Sequence, residues 1–277
     1  MTPKLTVRQL AQTFQRLWPQ SLAESWDAPG FAISRDVAVS KVLLCVDVTP
    51  LVLSEAKHRG ANLIFSHHPY LMRAGQSPEW DSLKGPVIAS AIEAGLSLFA
   101  AHTNADVVED GVSDTLAKAL RLQDIRPLVE TTPGIGHGRF GRFASPVTLE
   151  ELVVRLVQVL PFTARGIATS GYPEDLVNTV ALCGGAGDSF IADAFDQAAD
   201  VYITSDLRHH PTSDASQRHR HGNPMALVDI SHWAAESLWL EKAKTVLEAA
   251  HSEIEFMVSE VVTDPWSFVI NRENDEG

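Results

Sequence analysis

The sequence predicts an α/β fold of two α/β domains with largely parallel sheets, and a metal site in the cleft at the strand C-terminal ends. Three observations carry this. Short apolar runs alternate with longer amphipathic stretches along most of the chain, the order expected when helices cover a parallel sheet. Histidines and carboxylates gather directly after three of those runs, where open α/β sheets place their sites. The 277 residues are 45% apolar and 21% charged, ordinary for a globular protein with ample chain for a buried core.

Each element has a local reason. Val7, Leu10, Ala11, Phe14 and Leu17 repeat at helical spacing; Thr6 can cap that helix with Gln9 three residues on, and Pro19 stops it. KVLLCVDV (41–48) is a buried strand, and Thr49-Pro50 opens a helix that Gly60 closes. NLIFS (62–66) is the next strand, followed by a long loop and the helix PVIASAIEAG (86–95). LSLFAA (96–101) is a third strand; HTNAD follows, and Ser113 can cap SDTLAKAL.

The stretch PLVETTPGIGHGRFGRFASP changes the texture with its Gly and Pro, and it sets the expected boundary. Residues 1–125 would form one α/β domain, carrying HHP and HTxxD. Residues 126–277 would form a second, carrying GGAG and HxxxE, with the C-terminal segment able to pack back on the first. Within it TLEELVVRLVQVL (148–160) is a helix, NTVALCGGAG (178–187) a strand into a glycine turn, and DSFIADAFDQAA a helix. VYITS (201–205), a loop bearing RHH, and MALVDI (225–230) continue the alternation. HWAAESLWLEKAKTVLEAA (232–250) is the longest helical pattern, and SEIEFMVSEVV closes the chain as a strand.

The stretch IFSHHPY (64–70) raises the functional question. Neighbours on a strand point to opposite faces, so two adjacent histidines serve one site only where the strand breaks into a loop. Pro69 supports such a break. His102 and Asp106 follow another strand, and His232 and Glu236 follow a third, four residues apart and hence on one helix face. Imidazole and carboxylate together suit Zn²⁺, Fe²⁺ or Mn²⁺. Five or six such ligands exceed what a single open catalytic ion takes, so the pattern predicts two divalent metal ions per subunit.

Composition excludes other classes. With 22 Lys and Arg against 35 Asp and Glu, the net charge of −13 argues against a general DNA-binding surface. The only basic cluster, QRHRH (217–221), reads as a solvated loop, its His219 and His221 at the surface. No segment approaches the roughly 18 uninterrupted apolar residues of a membrane helix. The polar, amphipathic N-terminus is not a signal peptide, which with buried, reduced Cys45 and Cys183 implies a cytoplasmic protein. CGGAGDS lacks the Gly-Lys-Ser/Thr ending of a P-loop, and no nucleophile elbow surrounds Ser189.

The segments WDAPGF (26–31), VDVTPLVLSEAKHRGANLIFSHHPYLM (46–72), HTNADVVEDGVSDTLA (102–117), GHGRFGRF (136–143), ALCGGAGDSFI (181–191), DVYITSDLRHH (200–210), DISHWAAE (229–236) and DPWSFV (264–269) occur in an order that resembles one family. It is the GTP cyclohydrolase I type 2 homologues, also called Ngg-interacting-factor-three-like proteins. The resemblance implies a dinuclear metal protein of two α/β domains that assembles as a toroidal homohexamer. It implies His67, His68, Asp106, His232 and Glu236 as metal ligands, with Glu236 bridging both ions and with His102 and His210 beside them. Three positions depart from the family pattern: Ser205 and Ser231 stand where glycine is usual, and Ala235 where threonine is usual. The long middle insertion of many members has no room in this chain, so this is a short form.

Two functions follow as expectations. One is a metal-dependent hydrolase of a nucleotide or other phosphorylated small molecule, GTP cyclohydrolase-like by resemblance, with His102 as the catalytic acid or base. The other is a non-enzymatic hexameric metal-binding scaffold, or a metal trafficking or regulatory protein, which needs the same ligands.

Overall fold

The computed structural model describes residues 5–72, 78–220 and 225–270, without the side chains of 219 and 220. His221, expected at the surface, lies outside the described residues, as does the side chain of His219. The chain divides into two compact units. One comprises residues 1–116, 129–138 and 236–263; the other comprises 117–128, 139–235 and 264–277.

In chain order, α1 (Val7–Leu17) comes first, its start fixed by a reciprocal cap. The Gln9 N–H donates to Thr6 Oγ1 at 3.3 Å, and the Thr6 N–H donates to Gln9 Oε1 at 2.9 Å. Next come β1 (Gly30–Ile33), β2 (Lys41–Cys45), α2 (Pro50–Arg59), β3 (Leu63–Ser66), α3 (Gly85–Glu93), β4 (Ser97–Ala100), α4 (Thr103–Asp106) and α5 (Val112–Ala119). Pro50 stands in the first turn of α2, and Gly60 closes it in the left-handed region at φ 73°. Ser113 lies inside α5 rather than at its cap, because the helix starts two residues earlier than a Ser113 cap would set.

The chain continues with β5 (Gln123–Thr132), β6 (Ile135–Thr148), α6 (Leu149–Val159), β7 (Ala168–Ser170), β8 (Leu176–Ala186), α7 (Ile191–Asp196), β9 (Val201–Ser205), α8 (His209–Arg220) and β10 (Ala226–Asp229). It ends with α9 (His232–Ala250) and β11 (Glu255–Val258). The Gly/Pro-rich stretch is thus strand: β5 and β6 are neighbours joined by Pro133-Gly134, a connection short enough only for a hairpin. Gly134 sits at φ 77°, where a Cβ is unwelcome. The loop expected to bear RHH instead starts α8, because Pro211 falls in its first turn, where a missing N–H costs nothing.

Among the described residues the strands form two sheets. The first runs β1-β4-β3-β2-β11, parallel at every pairing except β1 with β4. It is the largely parallel sheet that the sequence predicts. The second runs β5-β6-β8-β9-β10-β7 and is mixed: β8, β9 and β10 are parallel, whereas β6 and β7 pair antiparallel with their neighbours.

Alternation along the first sheet sorts its two faces. Leu43, Cys45, Ile64 and Leu98 point one way, into a cluster with Val52, Ala56, Ile88 and Ala91 of α2 and α3. Phe65 and Phe99 point the other way, against Phe14 and Trp239. Trp239 of α9 is fully buried, and its truncation to alanine would cost about 3–5 kcal/mol. This aromatic layer forms the floor beneath the histidines that follow β3.

Candidate metal centre

His67 and His68 sit just past β3, where the ladder to the end of β2 still holds them: the His67 N–H donates to Cys45 O and the His68 N–H to Val46 O, both at 2.9 Å. His67 is fully buried, edge-on to Trp239 with ring centroids 5.5 Å apart. His102 follows β4, and the one-turn helix α4 brings Asp106 round beside it. The Asn104 carboxamide steadies that turn, accepting the His102 N–H at 2.9 Å and donating to Trp18 O at 2.7 Å.

The rings of His67, His68 and His102 stand 5.1–5.2 Å apart, centroid to centroid. One ligand atom from each lies within 4.8 Å of the others, close enough to hold a metal ion; His68 and Glu236 belong to a second such grouping. Glu236, one turn into α9, is buried. Its Oε1 is 3.3 Å from His67 Nε2 and its Oε2 is 3.1 Å from His68 Nε2. Asp106 Oδ1 is 3.6 Å from His67 Nε2.

Each ring is held from behind. His67 Nδ1 lies 2.9 Å from the carbonyl of Ala101, an acceptor only, so that nitrogen carries the proton and donates. His68 Nδ1 donates to Asp47 Oδ1 at 2.7 Å, and His102 Nδ1 donates to Asp27 Oδ1 at 2.8 Å. Asp27 is itself fixed, since its Oδ2 accepts the Thr103 N–H and hydroxyl at 3.1 and 2.6 Å. In the neutral tautomer each Nε2 therefore keeps its lone pair, the arrangement in which metal-ligating histidines are found.

The electrostatics follow from burial. Burial opposes the charge on His68, but Glu236 and Asp47 outweigh it and push the imidazole up to about 10. His67 is raised too, burial again opposing and Glu236 and Asp106 prevailing. Asp106 is itself raised, chiefly by loss of hydration. Burial would also raise Asp27, but its bonds from His102 and Thr103 hold it down at about 2. Among the described residues, His67 Nε2 and Asp106 Oδ1 are buried with no hydrogen-bond partner. Facing imidazole nitrogens and carboxylate oxygens of this kind fit a borderline divalent cation such as Zn²⁺, Fe²⁺ or Mn²⁺.

His232 belongs to the second unit and Glu236 to the first, yet both lie on α9, one turn apart. In its own unit His232 Nδ1 donates to Asp206 Oδ2 at 2.7 Å, as His68 and His102 donate to their aspartates. Asp206 adopts the left-handed region at φ 57° directly after β9, a conformation Asp tolerates. His210 is exposed at the start of α8. A cavity of about 880 Å³ lies in the second unit between β7, β10 and α8. Several of its hydroxyls bond locally: Ser170 accepts Leu227 N–H, Thr212 donates to Arg208 O and Ser216 to Ser213 O. Sequence reasoning did not single out the supports Asp27, Asp47 and Asp206. The available signal was a lone carboxylate in VDV, TSD and WDAPGF, the first two at strand ends.

A family model described as Duf34/NIF3 (NGG1p interacting factor 3) matches residues 5–265. The chain belongs to this family. A Streptomyces coelicolor protein named GTP cyclohydrolase 1 type 2 homolog is 41% identical over 260 residues, covering 91% of this chain and 90% of that one. A Mycobacterium tuberculosis protein of the same name is 28% identical over 360 residues, with 90% of this chain and 93% of the other covered. That span exceeds the 277 residues of this chain, so the relative carries inserted sequence and this NIF3 chain is a short form. Among solved structures, a Bacillus cereus protein related to NIF3 superposes with a TM-score of 0.86 at 22% identity, covering 97% of this chain and all of that one. A Staphylococcus aureus hypothetical protein gives 0.85 at 26% identity, covering 96% and 100%. Both share the fold. Among the described residues no helix is long and apolar enough to cross a membrane.

Proposed function

We propose that this NIF3-family chain is a dinuclear divalent-metal protein that hydrolyses a nucleotide or other phosphorylated small molecule. The observation that carries the metal reading is the common support of the histidines: four Nδ1 atoms donate backward to fixed oxygens. His67, His68, Asp106, His232 and Glu236 would be the ligands. Glu236, whose two oxygens face different histidines, would bridge the two ions. Such ions, when bound, supply Lewis acidity for hydrolysis.

His102 would act as the general base. Asp27 holds its tautomer and stays ionised, so it stabilises the imidazolium formed when Nε2 takes a proton. Trp26 lies edge-on to His102 at 5.8 Å and walls that side. The hydrolytic reading draws further support from the relatives' name, GTP cyclohydrolase 1 type 2 homolog. We carry the cytoplasmic location and the homohexamer as part of the same proposal; light scattering on the 30.2 kDa chain should then report roughly six times that mass.

The test is a screen of GTP and other nucleotides with zinc-, iron- or manganese-loaded protein, beside Glu236→Gln and His102→Ala. Hydrolysis should vanish in both variants, with the ions retained in His102→Ala. Turnover that persists in Glu236→Gln would assign the activity elsewhere. A parent protein that loads two ions yet turns over none of the panel would overturn this hydrolytic proposal and favour a scaffold.

A further inference from the structure

The chain after β11 does not simply run out. The Ser259 N–H donates to Leu44 O at 2.8 Å, extending the ladder, and the Ser259 hydroxyl and Glu260 N–H both donate to the Glu55 carboxylate, at 2.5 and 3.0 Å. Together with Arg59 these bonds outweigh burial and hold Glu55 below its ordinary value. From that fixed point the chain reaches Thr263, whose hydroxyl donates to Asp47 Oδ2 at 2.6 Å. The other oxygen of Asp47 is the one that accepts His68 Nδ1–H. A continuous line of hydrogen bonds thus leads from the C-terminal segment to a histidine of the centre.

The next residue makes a second such line in its own unit. Asp264 Oδ2 accepts the Ser231 hydroxyl at 2.5 Å, and Ser231 Oγ accepts the Ala234 N–H at 3.2 Å. Ser231 is therefore the N-cap of α9, immediately before His232. A glycine there could neither cap by side chain nor donate to Asp264. The Ser231 hydroxyl thus has a physical role: fixed by Asp264, it pins the turn from which His232 projects.

We propose that Thr263 and Asp264 form a strap that positions His68 and His232 as metal ligands, with Ser231 as the receiving cap on α9. The inference rests on the metal reading above and assigns the strap no contact with the ions. Outer hydrogen bonds of this kind orient ligating side chains, and their loss weakens metal binding by about 10- to 100-fold. Thr263→Val keeps shape and removes the donor, and Thr263→Ser restores it.

The experiment measures zinc affinity by competition against a chelating dye for the parent, Thr263→Val, Thr263→Ser, Asp264→Ala and Ser231→Gly, with circular dichroism on each. Thr263→Val and Asp264→Ala should each weaken zinc by about tenfold or more while keeping the parent's spectrum, and Thr263→Ser should return to near parent affinity. Ser231→Gly should weaken zinc at least as much as Asp264→Ala, because it removes the α9 cap on the Ala234 N–H as well as the bond to Asp264. Zinc binding by the parent with equal affinity in Thr263→Val and Asp264→Ala overturns the strap alone. Failure of Thr263→Ser to restore affinity overturns it as well, because the hydroxyl is then not the active group. No zinc bound by the parent overturns the metal reading, and the strap with it.

Discussion

The tripeptide His-His-Pro occurs twice in this chain, at 67–69 and at 209–211, and the two copies have different fates. Their ring pairs are equally close, with centroids 5.1 Å apart in the first and 5.3 Å in the second. The first follows a buried parallel strand; His67 is fully enclosed, both Nδ1 atoms are held by oxygens, and Glu236 faces both Nε2 atoms. The second opens α8 with both rings exposed. Residue type and spacing are identical, so what separates them is the layer of acceptors behind the rings. A metal centre is specified by its supports as much as by its ligands.

The strongest way to break this comparison is to remove Glu236, the proposed shared ligand. Glu236→Ala takes away a carboxylate that faces two histidines, so both proposed ions should be lost, whereas Asp106→Ala should chiefly weaken one. Elemental analysis of protein never exposed to chelator reads the difference. The helix should survive, since Trp239, Leu240, Ala243 and Leu247 keep its buried face. Two ions held at parent affinity in Glu236→Ala would deny it the bridging role.

A smaller effect is expected from the supports alone. Asp47→Asn and Asp27→Asn keep shape but lose charge behind His68 and His102. The first should weaken metal uptake by about 10- to 100-fold. The second should leave stoichiometry unchanged and depress turnover, if His102 is a base rather than a ligand. Loss of an ion in Asp27→Asn would move His102 into the ligand set.

The pH dependence sharpens the same contrast. His68 in the metal-free protein is raised from 6.5 to about 10 by Glu236 and Asp47 against the opposing effect of burial. A raised folded value means that this contribution to stability is fully present below the unfolded value and is lost as pH rises through the folded one. Chelator-treated protein should therefore melt at lower temperature as pH goes from about 6.5 to 10. Metal binding runs the other way, because His68 must release its proton to become a ligand. Zinc affinity should rise across that window, and calorimetry in buffers of different ionisation enthalpy should register the proton released. A melting temperature that climbs with pH in the metal-free protein would show that the surrounding carboxylates do not hold the charge on His68.

Much of the fold and of the centre was legible in the sequence. Strands β2, β3 and β4 are uninterrupted apolar runs because both faces of a parallel sheet are covered, and α1 shows its capping box in Thr6 and Gln9. The strand-end placement of His67, His68, His102 and Asp106 was legible by the same logic. What was hidden depends on distant partners. The short edge strands β1 and β7 carry little pattern of their own, and the Gly-rich hairpin β5–β6 reads as loop because glycine masks alternation. Asp47, Asp27 and Asp206 are single carboxylates whose meaning appears only once a histidine 21, 75 or 26 residues away is folded against them.

The smallest effect belongs to the second His-His-Pro. His209 and His210 are exposed in the first turn of α8, and that helix packs through other residues, with Ala215 buried. Replacing both histidines with alanine removes no buried contact, and alanine has the better helix propensity by a few tenths of a kcal/mol. The unfolding free energy should change by no more than about 0.5 kcal/mol, as for surface substitutions elsewhere. Metal content and zinc affinity should match the parent, in contrast to the collapse expected when His67 and His68 are both replaced. The paired measurement is elemental analysis and thermal melting of the two double variants side by side. If His209→Ala/His210→Ala loses an ion, exposed rings without such acceptors suffice for binding, and the acceptor layer behind the rings is not what distinguishes the two copies.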